Sequence, residues 1–210
     1  MRVLAEAHGV PVLAWGSEGV GQLMKWTTTG SGLWLLSVYF GHLLAAEVLE
    51  AVQGRAVNLH AALLPWCRGV HTNIWPILDR CPAGVTLHVM VPQADAGAIL
   101  LQRAVPVHPW DTGATLYARL SEAAYDLLAS SWPEEALARW PGTPQSDGGS
   151  VHRLADFRAL EEYMLPDTGD TRAFFDLLRA RSFPGYPGLR IRIGEAAVEA
   201  VVELREVRRG

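Results

Sequence analysis

The chain has 210 residues, half of them hydrophobic and 19% charged, so it is long enough for one domain with an appendage and too apolar to stay disordered. Lysine and arginine number 18 against 22 aspartate and glutamate, a formal net charge of −4, which disfavours a protein that grips nucleic acid through its phosphates. Two cysteines, Cys67 and Cys81, are too few for a disulfide scaffold and lack metal-ligand spacing; no apolar run approaches the ~18 residues of a membrane span, and the opening MRVLAEAHGV has no signal-peptide core, so a cytoplasmic protein is expected.

The short run Leu33–Val38 (LWLLSV), preceded by TTTGSG and followed by Gly41, predicts a buried strand. Leu44, Val48 and Val52 recur at a spacing of four and predict a helix. Arg55–Leu59 predicts a second strand, Val85–Val91 a third and, after an Asp/Gly turn, Ile99–Val105 a fourth. Strands alternating with helices indicate an α/β layered domain. Asp111 or Thr112 then caps a helix whose apolar stripe is Leu116, Leu120, Ala124, Leu127 and Leu128. Pro133, Glu134 and Glu135 open a further helix toward Trp140. The stretch PGTPQSDGGS (141–150) reads as a linker and divides the chain into units 1–145 and 146–210. Beyond it, a short helix is predicted around Phe157–Tyr163 and another over Thr171–Arg181, with the stripe Phe174, Leu177 and Leu178. A turn FPGYPG (183–188) then leads to a β-hairpin of Leu189–Ile193 and Ala197–Leu204, joined near Gly194–Glu195.

Asn58 and His60 lie at the end of a strand, where alternation points both to one side. Asp95, in the turn QADAG, reaches the same rim. An amide donor, an imidazole and a carboxylate together suit attack on a carbonyl: the amide steadies an oxyanion, the imidazole moves a proton and the carboxylate tunes the imidazole. Taken alone, a histidine at a strand end is more often structural. His71 and Asn73 follow the Arg68-Gly69 loop and are candidates to touch substrate, with Arg68 suited to a phosphate or carboxylate. His88 reads as a packed or rim histidine, and Cys67 as a small packing residue rather than a nucleophile.

The stretches VNLHAALLPWCRG (57–69), GVTLHVM (84–90) and DAGAILLQ (95–102), with SVYFGHLL (37–44) before them, resemble the signature of the folate-dependent formyltransferases. The resemblance spans roughly residues 5–130 in order and separation. It implies a Rossmann-like formyltransferase core, mostly parallel with flanking helices, followed by the small C-terminal helix and hairpin element. It implies catalytic roles for Asn58, His60 and Asp95, and N10-formyltetrahydrofolate as formyl donor with no metal. The pterin is then expected between the segment Tyr39, His42, Leu43, Leu44 and the backbone of Val91, Pro92, Gln93 and Ala94, and the acceptor near Arg68, Gly69, His71 and Asn73.

Two departures accompany the likeness. Ala61-Ala62 stands where the family has Pro-Ser or Pro-Gly after the histidine. AEAHGVPVLA (5–14) is similar to a stretch that family members reach only after a first strand, a Gly-containing loop and a helix, so roughly 30 residues, one βα unit, are expected to be missing, leaving an unpaired sheet edge. The tail RAFFDLLRARSFPGYPGLRIRIGE resembles that of sugar N-formyltransferases, which implies a nucleotide-linked amino sugar as acceptor and a homodimer through the hairpin. LHAALLPWCRG with GGSVHRLADF (148–157) is similar to peptide-synthetase formylation domains, implying a small amine or aminoacyl acceptor of secondary metabolism. The short start leaves a weakly active or inactive folate-binding paralogue as a further alternative.

Overall fold

Short apolar runs decide the central layer. In the computed structural model, which describes residues 16–29, 33–164, 169–193 and 195–206, the strands are β1 (Leu35–Val38), β2 (Ala56–His60), β3 (Arg68–Gly69), β4 (Ala83–Val89), β5 (Ile99–Val105), β6 (Val151–His152), β7 (Glu162–Met164), β8 (Leu189–Ile193) and β9 (Ala196–Ala200). The helices are α1 (Ser17–Thr29), α2 (Ala46–Ala51), α3 (Trp75–Leu78), α4 (Gly113–Ser131), α5 (Glu134–Ala138), α6 (Leu154–Ala159) and α7 (Thr171–Ala180).

The main sheet has the order β1-β2-β4-β5. β1 runs parallel to β2, with Val38 beside Leu59. β4 lies antiparallel to both β2 and β5, and its register sets His88 opposite Asn58 and Thr86 opposite His60. Three of the four strands therefore share one direction, and β4 alone opposes them. The reversal follows from the link 90–98, long enough for a hairpin and too short for a parallel crossover.

The run Leu33–Val38 is predicted to be a buried strand. It sits instead at an edge of the sheet, with Val38 39% exposed, because among the described residues it has a strand neighbour on one side only. The opening stretch AEAHGVPVLA lies outside the described residues. α1, which the sequence reading had not anticipated, precedes β1; its threonine run hides the helical pattern, and Thr27 Oγ1 satisfies the Met24 carbonyl at 2.7 Å.

α4 covers one face of the sheet. Its buried stripe is Leu116, Leu120, Ala123, Ala124 and Leu127, packed with Val57, Leu59, Val85, Leu87 and Leu101, while Leu128 falls at the margin. Each fully buried leucine contributes about 1.5–3 kcal/mol relative to exposure. Thr112 caps the helix: its hydroxyl accepts from the Thr115 amide at 3.2 Å, and Thr115 Oγ1 accepts from the Thr112 amide at 2.9 Å.

The C-terminal elements depart from the periodic reading in two places. The helix expected over Phe157–Tyr163 ends at Ala159, and Glu162–Met164 instead pairs parallel with β8, a long-range ladder that local pattern does not reveal. α7 buries Asp176, Arg179 and Ala180, whereas Phe174, Leu177 and Leu178 are only half-buried. Asp176 accepts from Arg179 Nε at 2.9 Å, and Arg179 Nη1 donates to the Asp111 carbonyl at 2.8 Å. A satisfied buried ion pair thus locks α7 to the start of α4. Of the hairpin, Gly194 lies outside the described residues; β8 and β9 pair antiparallel from Leu189–Ala200 to Ile193–Ala196.

Candidate active site

The side chains of Asn58 and His60 leave β2 on one face, two residues apart, and the antiparallel register adds His88 from β4 beside them. The 90–98 link then folds back over this face. It can do so because the Val89 amide donates to the Ala98 carbonyl at 2.8 Å and Gly97 packs against the Val89 carbonyl, where a β-carbon would overlap it. At the crest of the link Asp95 adopts φ +51°, a left-handed conformation that aspartate tolerates better than most residues.

The four side chains meet within hydrogen-bonding or ion-pairing reach. Asp95 Oδ1 lies 3.6 Å from His60 Nδ1, 3.5 Å from His88 Nε2 and 3.5 Å from Asn58 Nδ2. Asp95 Oδ2 accepts from the Gly69 amide at 2.9 Å. His60 Nε2 is 3.3 Å from the Cys67 carbonyl, so both its ring nitrogens face acceptors and a charge developing on the ring is met from two sides. His88 Nδ1 is 2.9 Å from the Val89 carbonyl, and its Nε2 lies 3.2 Å from Asn58 Nδ2 and 3.5 Å from Asp95 Oδ1. His88 is only 2% exposed, as a packed histidine should be, yet its ring is the fourth member of the cluster. The sequence alone hid this, because Asn58 and His88 become neighbours only through the β2–β4 register.

Burial sets the protonation states. It pushes the His60 imidazole below the usual histidine value, outweighing the Asp95 carboxylate, which raises it; His88 adds to the lowering and the Cys67 carbonyl opposes it. Burial works to raise the Asp95 carboxyl, but His88, His60 and the Gly69 amide outweigh it and hold the group below its ordinary range. The pair at neutral pH is therefore a neutral imidazole beside a carboxylate. The His60 resonance is expected to titrate below the ordinary histidine value, and to move lower still in Asp95→Asn, which removes the attraction for the protonated ring. Both depressed values stabilise the fold above the unfolded pKa, and that stability is lost as pH falls through the folded one. NMR titration of the histidine rings checks this; a His60 value at or above that of a free imidazole would sink the claim that burial dominates.

The loop between β2 and α3 is braced from below. Thr86 Oγ1 donates to the Ala62 carbonyl at 2.6 Å and accepts from the Leu64 amide at 3.2 Å, while Gln102 Nε2 donates to the Leu64 carbonyl at 2.8 Å. These bonds fix the loop through its backbone, so Ala61-Ala62 needs no side chain to do so. Cys67 is fully buried with φ +56°; its thiol lies 3.4 Å from that of Cys81, and both cysteines are free. The Cys67 carbonyl, not its sulfur, touches the cluster.

The stretch read as a linker is bonded along its length to this site. Thr143 and Ile99 exchange backbone bonds of 2.8 Å, Gln145 Nε2 donates to the carbonyls of Asp95 at 2.7 Å and Gly97 at 2.8 Å, and Ser150 Oγ accepts from the Cys67 amide at 3.0 Å. β6 then pairs with β3. Gln145 and Ser150 are site-supporting residues that the polar, glycine-rich composition of the segment concealed.

The remaining sequence candidates fall into three places. Leu44 packs with Met90, Leu49, Val52 and Ala56 in one small apolar cluster, which brings the segment 39–44 toward the start of the 91–94 stretch. Tyr39, His42, Leu43, Val91, Pro92, Gln93 and Ala94 are all exposed beside it, and the Tyr39 hydroxyl lies 3.5 Å from Ser121 on α4. Arg68 Nη2 donates to the Gly148 carbonyl at 3.1 Å and borders a cavity of about 500 Å³ shared with Val91, Gln93 and Gln145. Asn73 is buried and its amide donates to the Gly113 carbonyl at 2.9 Å, bracing α4, while His71 stacks on Phe157 with 3.6 Å between ring centroids. Burial, and then the charge of Arg181, push the His71 imidazole below its ordinary value.

The sheet and the link after β4 thus bring an amide, an imidazole and a carboxylate together at the rim of β2. The family model described as formyl transferase matches residues 33–131. The chain belongs to the folate-dependent formyltransferase family. It superposes on a sugar N-formyltransferase from Shewanella sp FDAARGOS_354 with a TM-score of 0.83 at 25% identity, over 99% of this chain and 82% of that one. A formyltransferase from Anoxybacillus kamchatkensis, in complex with UDP-4,6-dideoxy-4-formamido-L-AltNAc and tetrahydrofolate, is 35% identical over 60% of this chain and 67% of its own, with a TM-score of 0.56. An N-formyltransferase from Helicobacter canadensis, in complex with folinic acid and dTDP-3-aminofucose, is 21% identical over 91% of this chain and 66% of its own, with a TM-score of 0.74.

Proposed function

We propose that the protein transfers the formyl group of N10-formyltetrahydrofolate to the primary amine of an amino sugar carried on a nucleotide. The observation that carries this reading is the meeting of Asn58, His60 and Asp95 on one face, within 3.6 Å of a shared carboxylate oxygen, in a chain of this family. The relatives that hold both a folate and a nucleotide-linked sugar support the choice of acceptor.

The residues present fit a folate. Tyr39, Leu43 and Val91 are exposed apolar side chains on segments that the Leu44–Met90 cluster draws together, the kind of surface a flat ring covers. Bound there, the donor supplies a carbonyl carbon that forms a bond to the amine nitrogen as its bond to N10 breaks. Asn58 donates an N–H to the carbonyl oxygen as it gains charge, and His60 supplies a second donor. Asp95, held ionised, receives the proton that the amine releases and orients His60 for its return to the leaving nitrogen.

Titration with 5-formyltetrahydrofolate, a stable analogue of the donor, is expected to raise the melting temperature saturably. At a ligand concentration of 100 Kd the gain is about 2.7 kcal/mol, or several degrees for a domain of this size. A folded sample that shows no shift at millimolar ligand refutes the folate reading.

A further inference from the structure

The two cysteines meet although they stand 14 positions apart in the chain: their sulfurs are 3.4 Å from each other, and both thiols are free. Neither sulfur enters the catalytic cluster. We propose that Cys67 and Cys81 form a reversible disulfide site, closed by a peroxide and reopened by a dithiol, and that closure disables the cluster.

The two thiols are unequal. Cys67 is fully buried against Ala62 and Trp75, whereas Cys81 is half-buried and lines a cavity of about 700 Å³ at the Ala83 end of β4. A small oxidant in that cavity meets Cys81 and not Cys67. The hydrogen bond from Cys67 holds the Cys81 thiol below the ordinary cysteine value, against burial and the Asp79 carboxylate. The same contact, and then burial, push the Cys67 thiol up. Thiolate, the form that attacks, thus collects on the sulfur nearer to solvent.

The chemistry closes in two steps. The Cys81 thiolate attacks one oxygen of hydrogen peroxide: an S–O bond forms, the O–O bond breaks, and hydroxide leaves and is protonated to water, giving the sulfenic acid. The Cys67 sulfur, already in contact, then attacks Cys81 Sγ. The S–S bond forms, the S–O bond breaks, and the departing hydroxide leaves with the Cys67 proton as water. The two thiols give up two electrons and the peroxide takes them; a reduced dithiol reverses the oxidation by exchange.

Closure reaches the cluster through the chain. The sulfurs must approach to about 2.05 Å. Cys81 leads through Pro82 into β4, which is paired on both sides, so the loop that carries Cys67 is the part that yields. Cys67 is close-packed, with φ +56°, and its sulfur moves with its backbone. That backbone supplies the carbonyl 3.3 Å from His60 Nε2 and, two residues on, the Gly69 amide that donates to Asp95 Oδ2 at 2.9 Å.

The test compares the parent protein after hydrogen peroxide, quenched with catalase, with a sample reduced by dithiothreitol. Oxidation is expected to remove both free thiols with a mass loss of two hydrogens. Trypsin, cutting after Arg55, Arg68, Arg80 and Arg103, should then release peptides 56–68 and 81–103 as one linked species. The His60 ring resonances should shift and kcat should fall by about 10²-fold, the cost of an ångström of misplacement; dithiothreitol should restore both. Cys81→Ser, which lies outside the cluster, should match the reduced parent in turnover and lose its response to peroxide. In Cys67→Ala, dimedone should label Cys81 as its sulfenic acid. Thiols that survive peroxide overturn the proposal. So does a disulfide that leaves the His60 resonances in place, or a Cys81→Ser variant inhibited as strongly as the parent. The effect on kcat rests on the formyl-transfer reading, whereas the linked peptides and the His60 shift do not. A reduced parent without transferase activity therefore removes that reading and leaves these two observations to decide the disulfide site.

Discussion

His60→Ala is expected to lower kcat by about 10²- to 10⁴-fold, the usual contribution of a positioned acid–base group, with a melting temperature close to that of the parent. The histidine side chain is 11% exposed at the rim of the sheet and belongs to none of the apolar clusters, so its removal leaves the packing in place. Asp95→Ala should cost a comparable factor, because it takes away the carboxylate that answers a charge on His60 and the group that fixes the Gly69 amide. The double variant is the sharper experiment. Residues that act as a unit are strongly non-additive, so it should be little worse than the poorer single variant. Fully multiplicative losses would mean that the two act on separate steps, and near-normal turnover in either single variant would remove the catalytic assignment. Initial rates with saturating folate donor and amino sugar, read beside a thermal melt of each variant, separate these outcomes.

What could be read from the sequence was what depends on neighbours along the chain. Ile99–Val105 was legible to the residue because a short, largely apolar run is bounded by turn-forming residues on both sides. The long helix and a cap at Asp111 or Thr112, of which Thr112 is the one used, were legible because capping chemistry and a four-residue stripe are local. Asn58 and His60 share a face by simple alternation. The missing pieces all depend on pairing between distant segments. His88 joins the cluster only when β4 runs antiparallel to β2 in one register, and a shift by a single residue would turn its ring to the opposite face. The segment 141–150 looks like a linker because proline, glycine and serine dominate it, yet those residue types also let a backbone lie flat against another. Gln145 and Ser150 then use that closeness to hold Asp95 and Cys67. Likewise, the Asp176–Arg179 pair is invisible to a search for apolar stripes, since what it buries is charge.

Gly69→Ala is expected to damage stability and activity together, although it adds one methyl group. Gly69 has φ +101°, a region that L side chains rarely adopt, which alone costs of order 1–2 kcal/mol. Its β-carbon would also overlap the His152 carbonyl oxygen, the atom that accepts from the Val70 amide at 3.1 Å. The β3–β6 bridge must therefore open or shift. Opening it moves the Gly69 amide away from Asp95 Oδ2, a charge-assisted bond of the kind that contributes about 1.5–3 kcal/mol. Asp95 would then lose one of the groups that keep it ionised and the constraint that aims it at His60. The expected result is a clear fall in melting temperature and a loss of kcat at saturating substrate that exceeds the change in KM. A variant with a lowered melting temperature but an unchanged kcat would show that the Gly69 amide is only structural, and that Asp95 is placed by Gln145 and the turn itself.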